Sequence, residues 1–344
     1  EVRRKGCTRP APPLGLQGAA DVSTIDMVGK VCISIVDTSR PSSCCGTEVS
    51  IGRHPSGGRY RAGLAWWQAV ARRPIDLKAP KHVSADTSPL LRVKSYDQPS
   101  VFQPANLLRE GRRQLGRAEV DVPAVCLLDP DGDIVRHLTD TGRAVRHPGW
   151  ACYHTELWTF DLDGTEVGVI GCAVGASFAV LIAEQLFVSG CELLVSVTSS
   201  GMITPLAEAP YFIIIDRALR DEGTSHHYLP PGDWAAAPQR LLDRLDGRID
   251  GLDQGVVTGS TWTTDAPYRE TEQAIADARS WGIAAVEMEA AALYAFAAAQ
   301  QRDVMCFAHV TNTMATDGDD FEKGDAGGAH DALELVSAVV GALR

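Results

Sequence analysis

Residues 285–292 read Ala285-Val286-Glu287-Met288-Glu289-Ala290-Ala291-Ala292. Ala284–Val286 suits a short buried strand. The alanine-rich run Ala290–Gln300 suits a helix, because alanine loses no side-chain entropy on entering one. Two carboxylates and a thioether therefore stand where a strand hands over to a helix. Acids at a helix start answer the positive end of the helix macrodipole. They can also hold a sugar, since a carboxylate accepts hydrogen bonds from two vicinal hydroxyls while a methionine gives a soft apolar floor.

The same handover repeats on either side. Short apolar runs read as strands at Val125–Leu128, Val167–Gly171, Leu193–Val197, Tyr211–Ile215, Gly255–Val257 and Val304–Val310. Helical stretches fall near Asn106–Leu115, Ser177–Ser189, Ala235–Leu245, Glu270–Ser280 and Ala332–Leu343. Continuous apolar strands separated by helices predict an α/β fold, a single domain with a twisted, largely parallel central sheet flanked by helices. In such sheets ligands bind beyond the carboxyl ends of the strands, so the chemistry belongs in the loops that follow them.

This organisation covers residues 86–344. Residues 1–85 differ: Arg9-Pro10, Pro12-Pro13, Pro41-Ser42-Ser43 and Pro55-Ser56-Gly57-Gly58 interrupt them repeatedly. They read as a weakly ordered N-terminal extension without legible function. They hold 13 Lys+Arg against 6 Asp+Glu, whereas the rest of the chain holds 19 against 38. The overall charge is −12. So acidic a globule is a poor binder of phosphate backbones, which argues against nucleic acid as a partner. No apolar stretch approaches the ~18 residues of a spanning helix, so no membrane partner is expected. Nine cysteines without zinc spacing, several inside apolar runs, fit a reducing, cytoplasmic setting. No secretory h-region is evident.

Val286-Glu287-Met288-Glu289 before a small-residue helix resembles the nucleoside phosphorylase superfamily, which includes uridine phosphorylases and methylthioadenosine/S-adenosylhomocysteine nucleosidases. Further stretches follow in order: Ser100-Val101-Phe102-Gln103, Leu162-Asp163-Gly164-Thr165, Gly171-Cys172-Ala173-Val174-Gly175, Thr198-Ser199-Ser200-Gly201, Arg220-Asp221-Glu222-Gly223 and Thr264-Asp265-Ala266-Pro267-Tyr268. The resemblance runs from about Val101 to the C-terminus. It implies cleavage of a nucleoside N-glycosidic bond along an oxocarbenium-like path, with no metal or organic cofactor. It also implies a homo-oligomer.

The resemblance assigns roles residue by residue. Glu289, with Glu287 beside it, would hold the ribose hydroxyls and Met288 would pack under the sugar. Ser199 and Gly201 would present donors to the acceptor or substrate, and Tyr268 would line the site. Asn312 stands where purine members place an acid, and an amide binds a base without protonating it. Gln103 would reach the ribose 5′ end in a neighbouring subunit.

Where the phosphorylases place three phosphate-binding arginines, this chain has Asp133, Tyr153 and Ser196, with Arg136, Arg143 and Arg146 nearby as substitutes. Cations normally bind a phosphate dianion, and a carboxylate repels it. The favoured expectation is therefore hydrolysis, with Asp133, or Asp131, activating water. A phosphorylase that takes inorganic phosphate is the nearest alternative. A non-catalytic nucleoside-binding or storage protein is a further one, and an interaction scaffold driven by the basic leader is the last. Asp129-x-Asp131-x-Asp133 lacks the Gly and Glu positions of a calcium loop and reads as a tight turn. Cys152 with His154 reads as packing, and the pair His226-His227 has no zinc partners at useful spacing.

Overall fold

The structure is a computed structural model, and it describes residues 88–249, 251–312 and 323–344. The leader, residues 1–85, lies outside them, as does the acidic cluster of Asp317, Asp319 and Asp320.

Ten strands form one sheet. They are β1 (Val125–Asp129), β2 (Ala144–Arg146), β3 (Trp158–Leu162), β4 (Thr165–Gly171), β5 (Leu193–Met202), β6 (Tyr211–Asp221), β7 (Trp234–Ala236), β8 (Val256–Thr264), β9 (Ile283–Glu287) and β10 (Asp303–Asn312). The path runs β10-β6-β8-β9-β5-β1-β4-β3-β2, and β10 also pairs with β5. Strands β5, β10, β6, β8 and β9 therefore close a circuit. Strands β1, β4, β3 and β2 extend outward from β5, while β7 hangs on β6.

The α/β architecture is as expected, but the sheet is mixed rather than largely parallel. Among the described residues, β1–β4, β1–β5, β5–β10, β6–β8 and β8–β9 are parallel. The other five pairings are antiparallel. Apolar runs report burial on both faces and carry no information about strand direction.

The helices are α1 (Pro104–Leu115), α2 (Asp133–Asp140), α3 (Ala176–Phe187), α4 (Ser225–Tyr228), α5 (Gln239–Leu245), α6 (Glu272–Ser280), α7 (Ala290–Gln300) and α8 (Ala329–Leu343). All eight residues from Ala290 to Ala297 are buried, and α7 packs against α3, β6 and β10. A helix apolar all round belongs in the core, and its alanines let strands approach closely.

Three local readings need correction. The segment after β1 holds the whole of α2, not merely a turn; Gly132, with φ +76°, swings the chain into it. The helix expected at 235–245 begins only at Gln239, because Trp234–Ala236 pairs with β6 instead. Strand β3 is not among the apolar runs read as strands, although Leu162–Val167 resembles the family's hairpin. It forms a hairpin with β4 through Asp163 and Gly164, both with positive φ, as a two-residue hairpin turn requires.

Candidate active site

The carboxyl ends of β1, β5, β9 and β10 converge, and each contributes chemistry. At the end of β9, Glu287 is buried and saturated. One oxygen accepts from Thr261 Oγ1 at 3.0 Å and Thr263 Oγ1 at 2.5 Å. The other accepts from the backbone N–H groups of Glu289 and Ala290, both at 2.7 Å. It thus satisfies the amides that open α7 and two hydroxyls of β8. Glu287, expected to bind substrate, spends its four acceptor bonds in this structure on Thr261, Thr263 and the amides of Glu289 and Ala290.

Glu289 is 2% exposed. It accepts from Gly175 N–H at 2.6 Å, in the turn that opens α3, and more weakly from Met288 N–H at 3.3 Å. Burial, then the neighbouring charge of Glu287, pushes its carboxyl up to about 8, against hydrogen bonds from Gly175 and Thr198 that pull it down. Met288 beside it is half-buried. Strand β9, the Gly-rich turn after β4 and the Thr198 end of β5 thus meet on Glu289.

At the end of β1 the arrangement is different. Asp129 is buried and folds back to accept from Gly132 N–H at 3.0 Å and Val135 N–H at 2.9 Å, fixing the entry to α2. Burial, with the charges of Asp131 and Asp133 adding to it, raises its carboxyl to about 7 despite those two hydrogen bonds. Asp131 grips Ser199: Oδ2 accepts from its N–H at 2.8 Å and Oδ1 from its hydroxyl at 2.9 Å. Asp133 instead opens α2 and pairs with Arg136 at 2.5 Å and Lys323 Nζ at 2.8 Å. Lys323 also lies 3.5 Å from Asp131. Of the two acids considered for the acceptor, Asp131 touches Ser199 and Asp133 does not.

Lys323 is the charged residue of this cluster that sequence reasoning missed. It is brought in by the segment leading to α8, which packs tightly on the site. A Cβ on Gly327 would sit 3.0 Å from Asp133 Oδ1, and one on Gly328 (φ +80°) would sit 2.8 Å from the His309 ring. Burial lowers the Lys323 ammonium, but Asp133 and Asp131 outweigh it and hold it above the ordinary lysine range. His309, on β10, stacks on Phe212 with ring centroids 4.2 Å apart and bonds Gln254 through Nε2 at 2.9 Å. Burial first, then Lys323, depress its imidazole to about 4, so it is neutral at pH 7. Asp131, Asp133, Ser199, His309, Lys323 and Gly328 line one narrow cavity.

The remaining expected residues fall elsewhere. Tyr268 is 99% exposed in the turn before α6. Gly201 sits in the sheet between Val286 of β9 and Asn312 of β10, which ties its backbone to ladders on both sides. Asn312 ends β10. Gln103 precedes α1 and donates to Ser100 O on an arm with exposed Val101 and Phe102.

Among the substitutes for the absent arginines, Arg146 pairs with Glu156, Arg143 borders a separate groove against α8, and only Arg136 approaches the cavity. Tyr153 is exposed and donates to Gln114, while the buried Ser196 hydroxyl has no partner among the described residues. Buried Arg220 bonds Ser225, Pro230 and His226, so the two-histidine stretch is a packed turn. Cys152 accepts from His154 N–H at 3.4 Å, which agrees with packing.

Comparison with known proteins adds the following. The sequence profile of the phosphorylase superfamily matches residues 126–341. A guanosine phosphorylase of Halorubrum lacusprofundi is 27% identical over 135 residues, 39% of this chain and 56% of the relative. This chain therefore spans little more than half the length of that relative. A DeoD-type purine nucleoside phosphorylase of Streptococcus thermophilus is 24% identical over 165 residues, 47% of this chain and 76% of the relative. Among solved structures, a uridine phosphorylase of Vibrio fischeri superposes with a TM-score of 0.56 at 18% identity, covering 65% of this chain and 95% of that one. A purine nucleoside phosphorylase of Toxoplasma gondii in complex with immucillin-H gives 0.57 at 15%, covering 65% and 92%. These two likenesses bear on the fold alone. The resemblance seen in the sequence therefore holds, and so does the fold. The relatives named are phosphorylases and not hydrolases, so these matches favour the phosphate-dependent alternative over the hydrolysis that the sequence reading put first.

Proposed function

The chain belongs to the phosphorylase superfamily, and from that membership we propose that it cleaves the N-glycosidic bond of a nucleoside with inorganic phosphate as the acceptor. The observation that supports the reading is Glu289, a buried carboxyl at a strand end that accepts a 2.6 Å hydrogen bond from the Gly175 N–H of a neighbouring turn. Vicinal ribose hydroxyls can take the place of that turn's N–H, and Met288 can pack beneath the ring. In the proposed reaction a phosphate oxygen forms a bond to C1′ as the C1′–N bond breaks. The electron pair leaves with the base nitrogen, which takes up a proton. Ser199 donates to the acceptor, and Asn312 and neutral His309 flank the base. Gln103 reaches the ribose 5′ end of a neighbouring copy in a homo-oligomer, consistent with the exposed Val101 and Phe102 beside it.

A second reading, hydrolysis, is favoured by one observation: an acidic side chain, Asp131, stands on both Ser199 donors. A panel of purine and pyrimidine nucleosides with and without phosphate separates the two. Sugar 1-phosphate formed only with phosphate supports the proposal. Free ribose formed equally in its absence supports hydrolysis, and no base release from any nucleoside overturns both.

A further inference from the structure

Three donors meet on the Asp131 carboxylate. The Ser199 N–H and hydroxyl lie at 2.8 and 2.9 Å, and the Lys323 ammonium lies at 3.5 Å. An ammonium, a backbone amide and a hydroxyl aimed at one point form a donor set suited to an oxyanion. Both Asp131 oxygens are engaged: Oδ1 by the hydroxyl, Oδ2 by the amide and the ammonium. An acid so saturated offers little spare acceptor capacity for deprotonating water. The charges of Asp131 and Asp133 are matched by those of Lys323 and Arg136. A phosphate dianion added on top would be repelled, whereas one that replaced Asp131 would inherit its donors.

We infer that Ser199 and Lys323 form an oxyanion subsite which Asp131 occupies as a tethered stand-in, so that phosphate binds only by displacing the Asp131 carboxylate. The inference rests on the phosphorolytic reading and deepens it. A carboxylate tethered next to its donors competes at a high effective concentration and weakens every free oxyanion in proportion. Lys323 thus supplies the cation that Asp133, Tyr153 and Ser196 do not.

The test measures inorganic phosphate binding by the full chain without nucleoside, using calorimetry and 31P NMR, alongside the phosphate KM in nucleoside cleavage. Asp131→Asn should tighten phosphate binding about tenfold to a hundredfold, since it removes a charged competitor. Lys323→Met should weaken it at least tenfold, and Lys323→Arg should restore most of the loss. The nucleoside KM should move less than about threefold in each. Should Asp131→Asn fail to fold, Asp131→Ser makes the same test. Unchanged or weaker phosphate binding in the Asp131 variants overturns the inference. If those variants bind phosphate more tightly but no variant cleaves nucleosides with phosphate, the subsite stands and the phosphorolytic reading falls. If cleavage needs phosphate yet the Asp131 variants bind it no better, the subsite falls and that reading stands.

Discussion

Two carboxylate pairs lie at the carboxyl ends of the strands and handle the same problem oppositely. Glu287 and Glu289, at the end of β9, are met by amides and hydroxyls, with no cation bonded to either among the described residues. Asp131 and Asp133, beyond β1, face Lys323 and Arg136. Neutral donors satisfy a carboxylate's geometry but do not cancel its charge, so burial drives Glu289 toward its protonated form. An ammonium cancels charge directly, and the partly exposed aspartates have one within reach. The first pair suits neutral hydroxyls; the second suits exchange with another anion.

The largest expected effect tests the saturation of the β9 pair. Glu287→Ala strands two threonine hydroxyls and two helix-opening amides, and should cost about 3–5 kcal/mol of unfolding free energy in urea titrations. A loss below ~1 kcal/mol would show that Glu287 is not the group those donors need.

Next comes pH. The carboxyls of Glu289 and Asp129 are raised in the fold to about 8 and about 7, from ordinary values of 4.5 and 3.8. Between the unfolded and folded values the native state binds more protons. Stability is therefore full below the unfolded values and declines as pH rises through the folded ones. Each group contributes about 2–3 kcal/mol of decline between pH 5.5 and 7.5, at 1.36 kcal/mol per unit. Glu289→Gln should flatten its part of that slope, and an unaltered slope would remove Glu289 from the account.

The same substitution sharpens the sugar assignment. Above pH 8, where the Glu289 carboxyl is ionised, losing a charged hydrogen-bond partner costs ~1.5–3 kcal/mol, so kcat/KM for ribonucleosides should fall there roughly tenfold to a few hundredfold. 2′-Deoxynucleosides should suffer less; equal losses on both would place Glu289 away from the ribose. The smallest effect belongs to Arg136, whose side chain is largely exposed although it pairs with Asp133 at 2.5 Å. Arg136→Ala should cost no more than ~1 kcal/mol of stability. A larger cost would mean that Arg136, and not Lys323 alone, balances the aspartates.

What the sequence disclosed follows the span of each contact. Glu287 accepts from residues two and three positions ahead, so the strand-to-helix handover was legible from a few residues. Its bonds to Thr261 and Thr263 were not legible, because those residues reach it from another strand. Asp131 and Ser199 are 68 residues apart, and Lys323 and Asp133 are 190 apart. Nothing local marks Lys323 as the partner of either acid. The one available signal was the pair Gly327-Gly328 just before an apolar helical run, the mark of a segment that must approach another surface closely. Tyr268 is the opposite case: its motif is local and legible, and the turn that bears it leaves the side chain exposed.

The closed circuit of β5, β10, β6, β8 and β9 has a consequence for how this site can be altered. Glu289 and His309 belong to strands or strand ends of the ring, whose members brace one another on both sides. Asp131 and Lys323 belong to appendages: a turn after β1, which hangs on the ring through β5, and a short lead into α8. The two carboxylate clusters are thus carried by parts of the fold that can be changed separately, and Ser199 of β5 is where Asp131 meets the frame. Exchanging the turn after β1 or the lead into α8 alters the partners of Ser199 and leaves the frame around Glu289 in place.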